Sequence, residues 1–206
     1  MKNKKQLLLR QAKRVLKRHG LHWSVIKPTA KEIVVFGSAS VGLKSPKSDL
    51  DLLVIGEGKR FKNRDLDIVY KTEQAVTRRR WLGSELAGHV AKYGTWLDGK
   101  GEWVRNVRVG SSAVTYKMKL IAARATALER SWETMSPVYR KKHVVKLRRD
   151  LQRLELLVKG VGIPPTPILD KRWHQVNNPV SRVKLLLKRA GRFKLLTPKQ
   201  VDLFLP

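Results

Sequence analysis

Two short stretches decide the fold: Val34-Val35-Phe36-Gly37-Ser38 and Ser48-Asp49-Leu50-Asp51-Leu52-Leu53-Val54. Each contains a run of apolar residues, which predicts a buried strand. Gly37 directly follows the first run, and Asp49 and Asp51 stand at the start of the second. An i, i+2 pair on a strand directs both carboxylates to one face. Two acids on one face of an apolar strand are costly unless they are solvated, paired or bound to a cation.

The carboxylates are the predicted metal ligands, because hard divalent cations such as Mg²⁺ take oxygen ligands of this kind. A third apolar run carries Asp67, which becomes the third ligand if the strands pair side by side. Asp65, two residues earlier on the same face, is the alternative. Three carboxylates around two metals perform phosphoryl transfer, with Asp67 placed as the base on the attacking hydroxyl. A lone Asp-x-Asp in a basic protein can instead be a surface pair that holds Lys or Arg.

The loop after the first strand is a candidate phosphate site. A glycine directly after a buried strand lets the backbone approach a phosphate closely. The hydroxyl and N–H groups that follow can donate to the phosphates, and two lysines in the loop add positive charge. The predicted nucleotide-binding residues are Gly37, Ser38, Lys44 and Lys47.

Taken together, residues 34–42 and 48–54 resemble the polymerase-β-like nucleotidyltransferase superfamily, and most closely its minimal nucleotidyltransferases. That family joins an apolar strand, Gly-Ser, a spacer, Asp-x-Asp between apolar residues and a third acid on a later strand. Residues 84–97 also resemble a helix found after the core of such proteins. The resemblance implies transfer of a nucleoside monophosphate from an NTP, with ATP as the expected donor, to a hydroxyl. Mg²⁺ or Mn²⁺ is the implied cofactor, and pyrophosphate is released.

The expected fold is α/β (α+β). A small mixed sheet with flanking helices forms a nucleotidyltransferase core over residues 1–110, and a basic, mostly helical region follows over residues 111–206. Because few residues separate Asp51 from Asp67, we expect their strands to form a tight antiparallel hairpin. The predicted strands cover residues 33–36, 50–55, 66–70 and 103–109, and the predicted helices cover residues 1–19, 84–97, 111–133, 136–159 and 179–188.

The charge balance indicates an anionic partner. The chain has 45 Lys and Arg against 16 Asp and Glu, a formal net charge of +29. Self-repulsion at this charge disfavours a compact state unless counter-anions are close. Nucleic-acid phosphate is the favoured counter-anion, with RNA preferred to DNA, and an anionic membrane surface is the second candidate. No apolar run approaches the length that a membrane-spanning helix needs.

Three basic segments are candidates for nucleic-acid contact. The first predicted helix has no acid, and it either packs on the domain or also serves as a nucleic-acid arm. An arginine run beside Trp81 either binds phosphate and stacks a base or is a solvated helix start. The helix over residues 136–159 is expected to bury one side and present a cationic face to phosphates. The last two segments supply the named candidates Arg78, Arg79, Arg80, Lys141, Lys142, Arg148 and Arg149.

Two functions from different classes remain open. The first is the transferase acting on RNA or a nucleic-acid-bound target. The second is a non-catalytic or weakly catalytic structural component of a nucleoprotein assembly, such as a ribosome-like particle or a virion. Modification of a protein or small molecule is a third reading, although the charge disfavours a small cationic substrate. The absence of cysteine excludes disulfides, thiolate zinc sites and cysteine nucleophiles. The expected location is the cytoplasm or a nucleoprotein particle, with an organelle or virion left open.

Overall fold

The structure, a computed structural model, describes residues 2–45 and 48–173. The chain divides into two compact units, residues 1–108 with 164–167 and residues 109–163 with 168–206. The first is a mixed α+β unit with a five-stranded sheet, and the described part of the second is helical, so the predicted fold class is confirmed. Lys47 and the predicted helix over residues 179–188 lie outside the described residues.

The sheet has the strand order β3-β4-β2-β1-β5. Strands β2 and β4 are parallel, whereas the pairs β1–β2, β1–β5 and β3–β4 are antiparallel. The strands are β1 (Ala30–Phe36), β2 (Leu50–Gly56), β3 (Phe61–Lys62), β4 (Leu66–Lys71) and β5 (Thr95–Asp98).

Helices of very different lengths surround the sheet in the first unit and make up the second. In the first unit they are α1 (Lys2–Arg18), α2 (Trp23–Thr29), α3 (Gly37–Ser40), α4 (Glu73–Thr77), α5 (Arg79–Leu82), α6 (Glu85–Tyr93) and a 3-10 helix (Glu102–Asn106). The later ones are α7 (Ser111–Arg130), α8 (Pro137–Val158) and α9 (Thr166–Trp173).

The two faces of the central strands belong to two separate hydrophobic cores, because successive side chains along a strand point to opposite faces of the sheet. Ile33 and Leu52 lie in a core that includes the buried side of α1, formed by Leu8, Ala12, Val15 and Leu16. Val34 and Leu53 lie in the other core, which includes residues of α4, α5, α6 and the 3-10 helix, among them Val76, Trp81, Val90 and Trp103.

A buried carboxylate ties the 3-10 helix to the sheet. Glu32 on β1 accepts hydrogen bonds from the indole N–H of Trp96 at 3.0 Å, from that of Trp103 at 3.1 Å and from the backbone N–H of Gly101 at 3.1 Å. Three donors replace the water that the carboxylate loses on burial. The predicted strand over residues 103–109 is therefore wrong, because the Trp103 indole is turned inward to this carboxylate from a 3-10 helix.

Two other expectations need correction. The strand after Asp51 does not form a hairpin with the strand of Asp67, because the chain first passes to β3 at the sheet edge and returns antiparallel as β4. Strands β2 and β4 are therefore parallel. The predicted helix over residues 84–97 ends at Tyr93, and Thr95–Asp98 forms β5 instead, because this segment pairs with β1.

The described part of the second unit is an antiparallel-type helical core of α7 and α8 with α9. Leu128, Leu154 and Leu169 are almost fully buried in it. Asp150 is also buried, and it pairs with Lys117 at 3.2 Å and with Arg124. These pairs compensate a charge that would be very costly to bury alone.

Candidate active site

The candidate active site lies where β1 ends and β2 begins. Their antiparallel register pairs Phe36 with Asp51. The chain turns directly into α3 at Gly37, whose φ is +71°. A Cβ on Gly37 would lie 2.1 Å from Oδ2 of Asp51. Only glycine fits this turn, because a side chain would be strained at that φ and would collide with the carboxylate.

The sheet register also brings the third acid beside the second. Asp51 on β2 and Asp67 on β4 are direct partners in the parallel pair. Partners in a parallel pair direct their side chains to the same face, and that face is the one that carries Leu53 and α6. Asp49 precedes β2 in the connecting loop and is half-buried. The strands thus place Asp67, rather than Asp65, next to Asp51.

The environment of Asp51 disfavours the ionised form of its carboxyl group. Burial raises the pKa of Asp51 to about 7, and the charges of Asp49 and Asp67 act in the same direction. Lys62 and Lys44 act against them but do not compensate. A carboxylate held among like charges in this way is stabilised by a nearby cation, so the donor chemistry of Asp49 and Asp51 fits a hard divalent ion.

Asp67 has a different environment, because two basic side chains neutralise it. Lys62 on β3 is its partner across the antiparallel pair, and Nζ of Lys62 lies 2.6 Å from Oδ2 of Asp67. Nη2 of Arg60 lies 3.0 Å from the same oxygen. Burial alone would raise the pKa of Asp67, but these bonds outweigh it, and the pKa is lowered. A carboxylate with a lowered pKa is a weak proton acceptor, which disfavours the predicted role as base.

The three predicted acids lie near one another, but their side chains do not form a metal-binding group in this structure. Within residues 2–45 and 48–173, no group of three Asp, Glu, His or Cys side chains is placed to hold a metal ion. Asp67 is instead paired with Arg60 and Lys62. The three-carboxylate metal site stays a prediction, with Asp49 and Asp51 as the candidate ligands that have no such ion pair among these contacts.

The alternative acid, Asp65, lies just before β4 and serves another contact. Its carboxylate pairs with Nη2 of Arg18 at 2.6 Å and with Nε2 of His19 at 2.5 Å. The hydrogen bond from His19 is the main cause of the lowered pKa of Asp65. Its backbone carbonyl accepts a hydrogen bond from the N–H of Leu50 at 2.9 Å. Asp65 thus fixes the end of α1 to the start of β2.

Some hydrogen-bonding groups of the predicted phosphate loop are already bonded to other groups of the protein. The N–H of Gly37 donates to Nε2 of His89 at 3.3 Å, so this donor already has a partner. Ser38 is buried at the start of α3, and Ser40 donates to the Gly37 carbonyl at 2.8 Å. Lys44 is half-buried in the following loop, where burial lowers its pKa and the charges of Asp65, Asp49 and Asp51 raise it. The contact with Gly37 places His89 beside the candidate site.

Sequence reasoning missed three cations around the acids: Arg18, Arg60 and Lys62. The side chains of all three are about 60% exposed, although each contacts an aspartate. The β3 strand is only two residues long, so no periodic pattern marked it. The sequence signal that could have revealed Lys62 is its position next to the apolar Phe61, in a segment that pairs with the strand of Asp67.

The predicted nucleic-acid residues fall into different environments. Arg78, Arg79 and Arg80 are exposed at the start of α5. Trp81 is buried against Trp103, so its predicted stacking on a base is wrong. On α8, Lys141 and Lys142 are exposed, whereas Arg148 and Arg149 pair with Asp170 on α9. The cationic face expected of α8 is therefore partly neutralised. No helix within the described residues is long and apolar enough to cross a membrane.

The sequence comparison identifies the class of this domain. Residues 9–90 match the family described as "Nucleotidyltransferase domain". The match confirms, for this part of the chain, the resemblance predicted from the opening motifs. The match contains β1, α3, β2 and β4, and therefore Gly37, Asp49, Asp51 and Asp67. It supports nucleotidyl transfer in general and leaves donor and acceptor open.

Two solved structures are similar to the chain at low levels. A nucleotidyltransferase-like protein from Exiguobacterium sibiricum 255-15 is 17% identical, with 86% of this chain and 67% of that chain covered and a TM-score of 0.37. A chain of a toxin-antitoxin with AMP-PNP is 20% identical, with 51% and 88% covered and a TM-score of 0.26. No curated protein sequence matches the chain.

Proposed function

We propose that the protein transfers a nucleoside monophosphate from an NTP, with ATP as the expected donor, to a hydroxyl on RNA or on a nucleic-acid-bound target. One observation carries this proposal. The β1–α3 turn at Gly37 is packed against the carboxylate of Asp51, and Asp51 is paired in register with Asp67. A turn that only glycine fits, held against an acid pair at the end of a sheet, is an arrangement suited to bind a nucleotide triphosphate and a cation together.

In the proposed site, Asp49 and Asp51 would hold Mg²⁺ or Mn²⁺. When bound, the ion would polarise the reacting phosphate and stabilise the leaving pyrophosphate. Lys44 and the Ser38 hydroxyl would bind the triphosphate, since both follow the Gly37 turn. Asp67 holds Lys62 and Arg60 beside Asp51, and these cations are available for the phosphates of donor or acceptor.

The test is label transfer from each of the four NTPs to bulk RNA, in the presence of Mg²⁺ or Mn²⁺. Asp51→Asn removes a proposed ligand with little change in volume, and we expect a loss of at least about 100-fold in rate. Glu102→Gln, at an exposed position on the 3-10 helix, is the matched control and should retain activity. Equal activity of the Asp51→Asn variant and the wild type would refute this assignment.

The structural role in a nucleoprotein assembly is the second candidate. Neutralisation of Asp67 by Lys62 and Arg60 favours it, because an acid committed to ion pairs does not require a metal. The +29 charge favours it as well. This candidate predicts tight RNA binding by the wild type with no label transfer under any donor or metal. It would place the protein in a nucleoprotein particle, whereas the enzyme is compatible with the cytoplasm.

A further inference from the structure

The outer face of α1 is a continuous row of cations. The residues of α1 that pack on the sheet are Leu8, Ala12, Val15 and Leu16. At 3.6 residues per turn, the opposite side of the helix is formed by Arg10, Lys13, Arg14, Lys17 and Arg18, all of them exposed. The helix contains no acidic residue, so no charge within it neutralises this row. We call these five residues the α1 stripe.

The stripe ends beside the candidate active site. Its last member, Arg18, pairs with Asp65 at 2.6 Å. The backbone of Asp65 binds the N–H of Leu50 at 2.9 Å, and Leu50 lies between Asp49 and Asp51. The charge of Arg18 also acts on Lys44, as do the charges of Asp49 and Asp51. Cations therefore continue from the helix to the loop that borders the acids.

The stripe and the acids lie on opposite faces of the sheet but at the same end of it. α1 covers the face of Leu52, and Asp51 lies on the face of Leu53. A ligand on the stripe would have to pass over this end of the sheet, by Arg18 and Lys44, to meet Asp51. Between Arg10 and Arg18 the helix rises about 12 Å, enough for a few successive phosphates of a strand.

The chemistry of the stripe fits a nucleic-acid strand better than a membrane. A helix that binds a membrane inserts apolar side chains between its cations. The main apolar side of α1 is buried in the sheet core, and Leu7, at 65% exposure, is the large apolar side chain that this helix leaves exposed for insertion. A phosphodiester chain needs only the repeated positive charge that this surface presents.

We propose that the α1 stripe binds the acceptor, a single-stranded nucleic acid, and that its terminal hydroxyl is delivered over Arg18 and Lys44 to Asp51. The inference rests on the proposed transferase function for the delivery, whereas the binding surface stands on the charge and exposure of α1. The proposed contacts are to phosphates, so the surface would bind a strand without reading its base sequence.

The first test compares two triple variants of the full-length protein that remove the same charge. Lys13→Gln/Arg14→Gln/Lys17→Gln removes three of the five charges of the stripe, and Lys27→Gln/Lys100→Gln/Arg105→Gln removes three exposed charges elsewhere in the first unit. Binding of a fluorescent single-stranded oligonucleotide is measured by anisotropy across a salt series. The stripe variant should lose at least about tenfold in affinity, and its salt slope should fall by about 2, since each phosphate contact contributes about 0.7.

The outcomes separate this inference from the proposed function. Equal losses in both variants, or no loss in either, would overturn the stripe as a specific surface. A loss of binding to phosphatidylserine vesicles with oligonucleotide binding unchanged would overturn it in favour of a membrane. The measurement requires no turnover, so it succeeds or fails whether or not the wild type transfers label. Thermal unfolding of both variants verifies that the fold is retained.

The second test locates the end of the strand. An oligonucleotide with a photoreactive 3′-terminal base is crosslinked to the wild type, and the modified peptide is identified by mass spectrometry. Crosslinks within residues 36–67 are expected, because this range holds Gly37, Lys44, Asp51 and Asp67. Crosslinks confined to the second unit, or to the first turns of α1, would overturn delivery to Asp51.

Discussion

At the scale of single residues, the site is a balance between three acids and the cations around them. Asp51 is left among like charges, and Asp67 is committed to Lys62 and Arg60. The same carboxylate type therefore has two environments within one register pair. A divalent cation bound at Asp49 and Asp51 would compete with Lys62 for the oxygens of Asp67.

That competition gives a prediction for Lys62→Met. Removing the ammonium leaves Asp67 paired with Arg60 alone, so less positive charge at the carboxylate opposes a metal ion. We expect Mn²⁺ to bind severalfold more tightly than in the wild type, as measured by calorimetry or by electron paramagnetic resonance. Lys59→Met, at an exposed position nearby, is the control and should leave the affinity unchanged. Unchanged or weaker binding by the Lys62→Met variant would show that Lys62 does not compete with metal.

Glu32 is the clearest case of a buried charge with a structural role. Both of its oxygens accept bonds from N–H donors, including two indoles. Glu32→Gln replaces one acceptor by an NH₂ that faces a donor, so we expect a loss of about 1–3 kcal/mol in unfolding free energy. Glu73→Gln removes only the exposed pair with Lys31 and should cost less than Glu32→Gln. Urea unfolding measures both, and equal costs would contradict this account.

At the scale of elements, the β1–α3 junction positions the site. The turn depends on Gly37, because its backbone has a positive φ and lies against Asp51. Gly42, a few residues later, also has a positive φ, +75°, but a Cβ there would meet no atom within 4 Å. Substitutions at these two glycines therefore distinguish the effect of backbone strain from that of a steric conflict with the Asp51 carboxylate.

Gly37→Ala and Gly42→Ala should therefore differ. Both variants pay about 1–2 kcal/mol for a side chain in a left-handed conformation. Gly37→Ala must also displace the carboxylate of Asp51, so we expect a larger loss of stability and a loss of ATP binding. Gly42→Ala should retain ATP binding. Denaturant unfolding and calorimetric titration with ATP and Mg²⁺ are the measurements. Similar ATP affinity in the two variants would contradict a nucleotide site at this turn.

The sequence alone could predict the central strands but not the direction of every strand. Apolar runs ending in Gly37 and beginning at Leu50 predicted the central strands, because burial on both faces leaves a strong local signal. The direction of the strand carrying Asp67 could not be predicted. It depends on the two-residue β3, which lies at the sheet edge and has no periodicity to detect.

The same limit applies to side chains. The choice of Asp67 over Asp65 follows from register, and register is a long-range property of the sheet. The ion pairs of Asp67 follow from β3 and were equally hidden. Trp81 looked like a stacking residue beside an arginine run, but its burial is decided by Trp103, which lies far away in the sequence. The family resemblance predicted the reaction, whereas the pKa values of Asp51 and Asp67 depend on their neighbours in the folded structure.

At the scale of the whole molecule, the net charge of +29 is the dominant property. Several of the acids already form local ion pairs, namely Asp65, Asp67, Asp150 and Asp170. These pairs do not reduce the formal excess of cations. The remaining repulsion lowers the stability of the folded state, and a polyanion that binds the folded chain removes part of it.

Inorganic polyphosphate should therefore raise the melting temperature of the protein. A ligand that prefers the folded state stabilises it by mass action, and each kcal/mol corresponds to about 2–4 °C for a chain of this size. The effect should exceed that of sodium chloride at equal ionic strength, because simple screening does not supply closely spaced charges. Scanning fluorimetry with both additives is the measurement. A polyphosphate shift no larger than the chloride shift would mean that the folded surface does not gather anionic chains, and the charge would then require a different explanation.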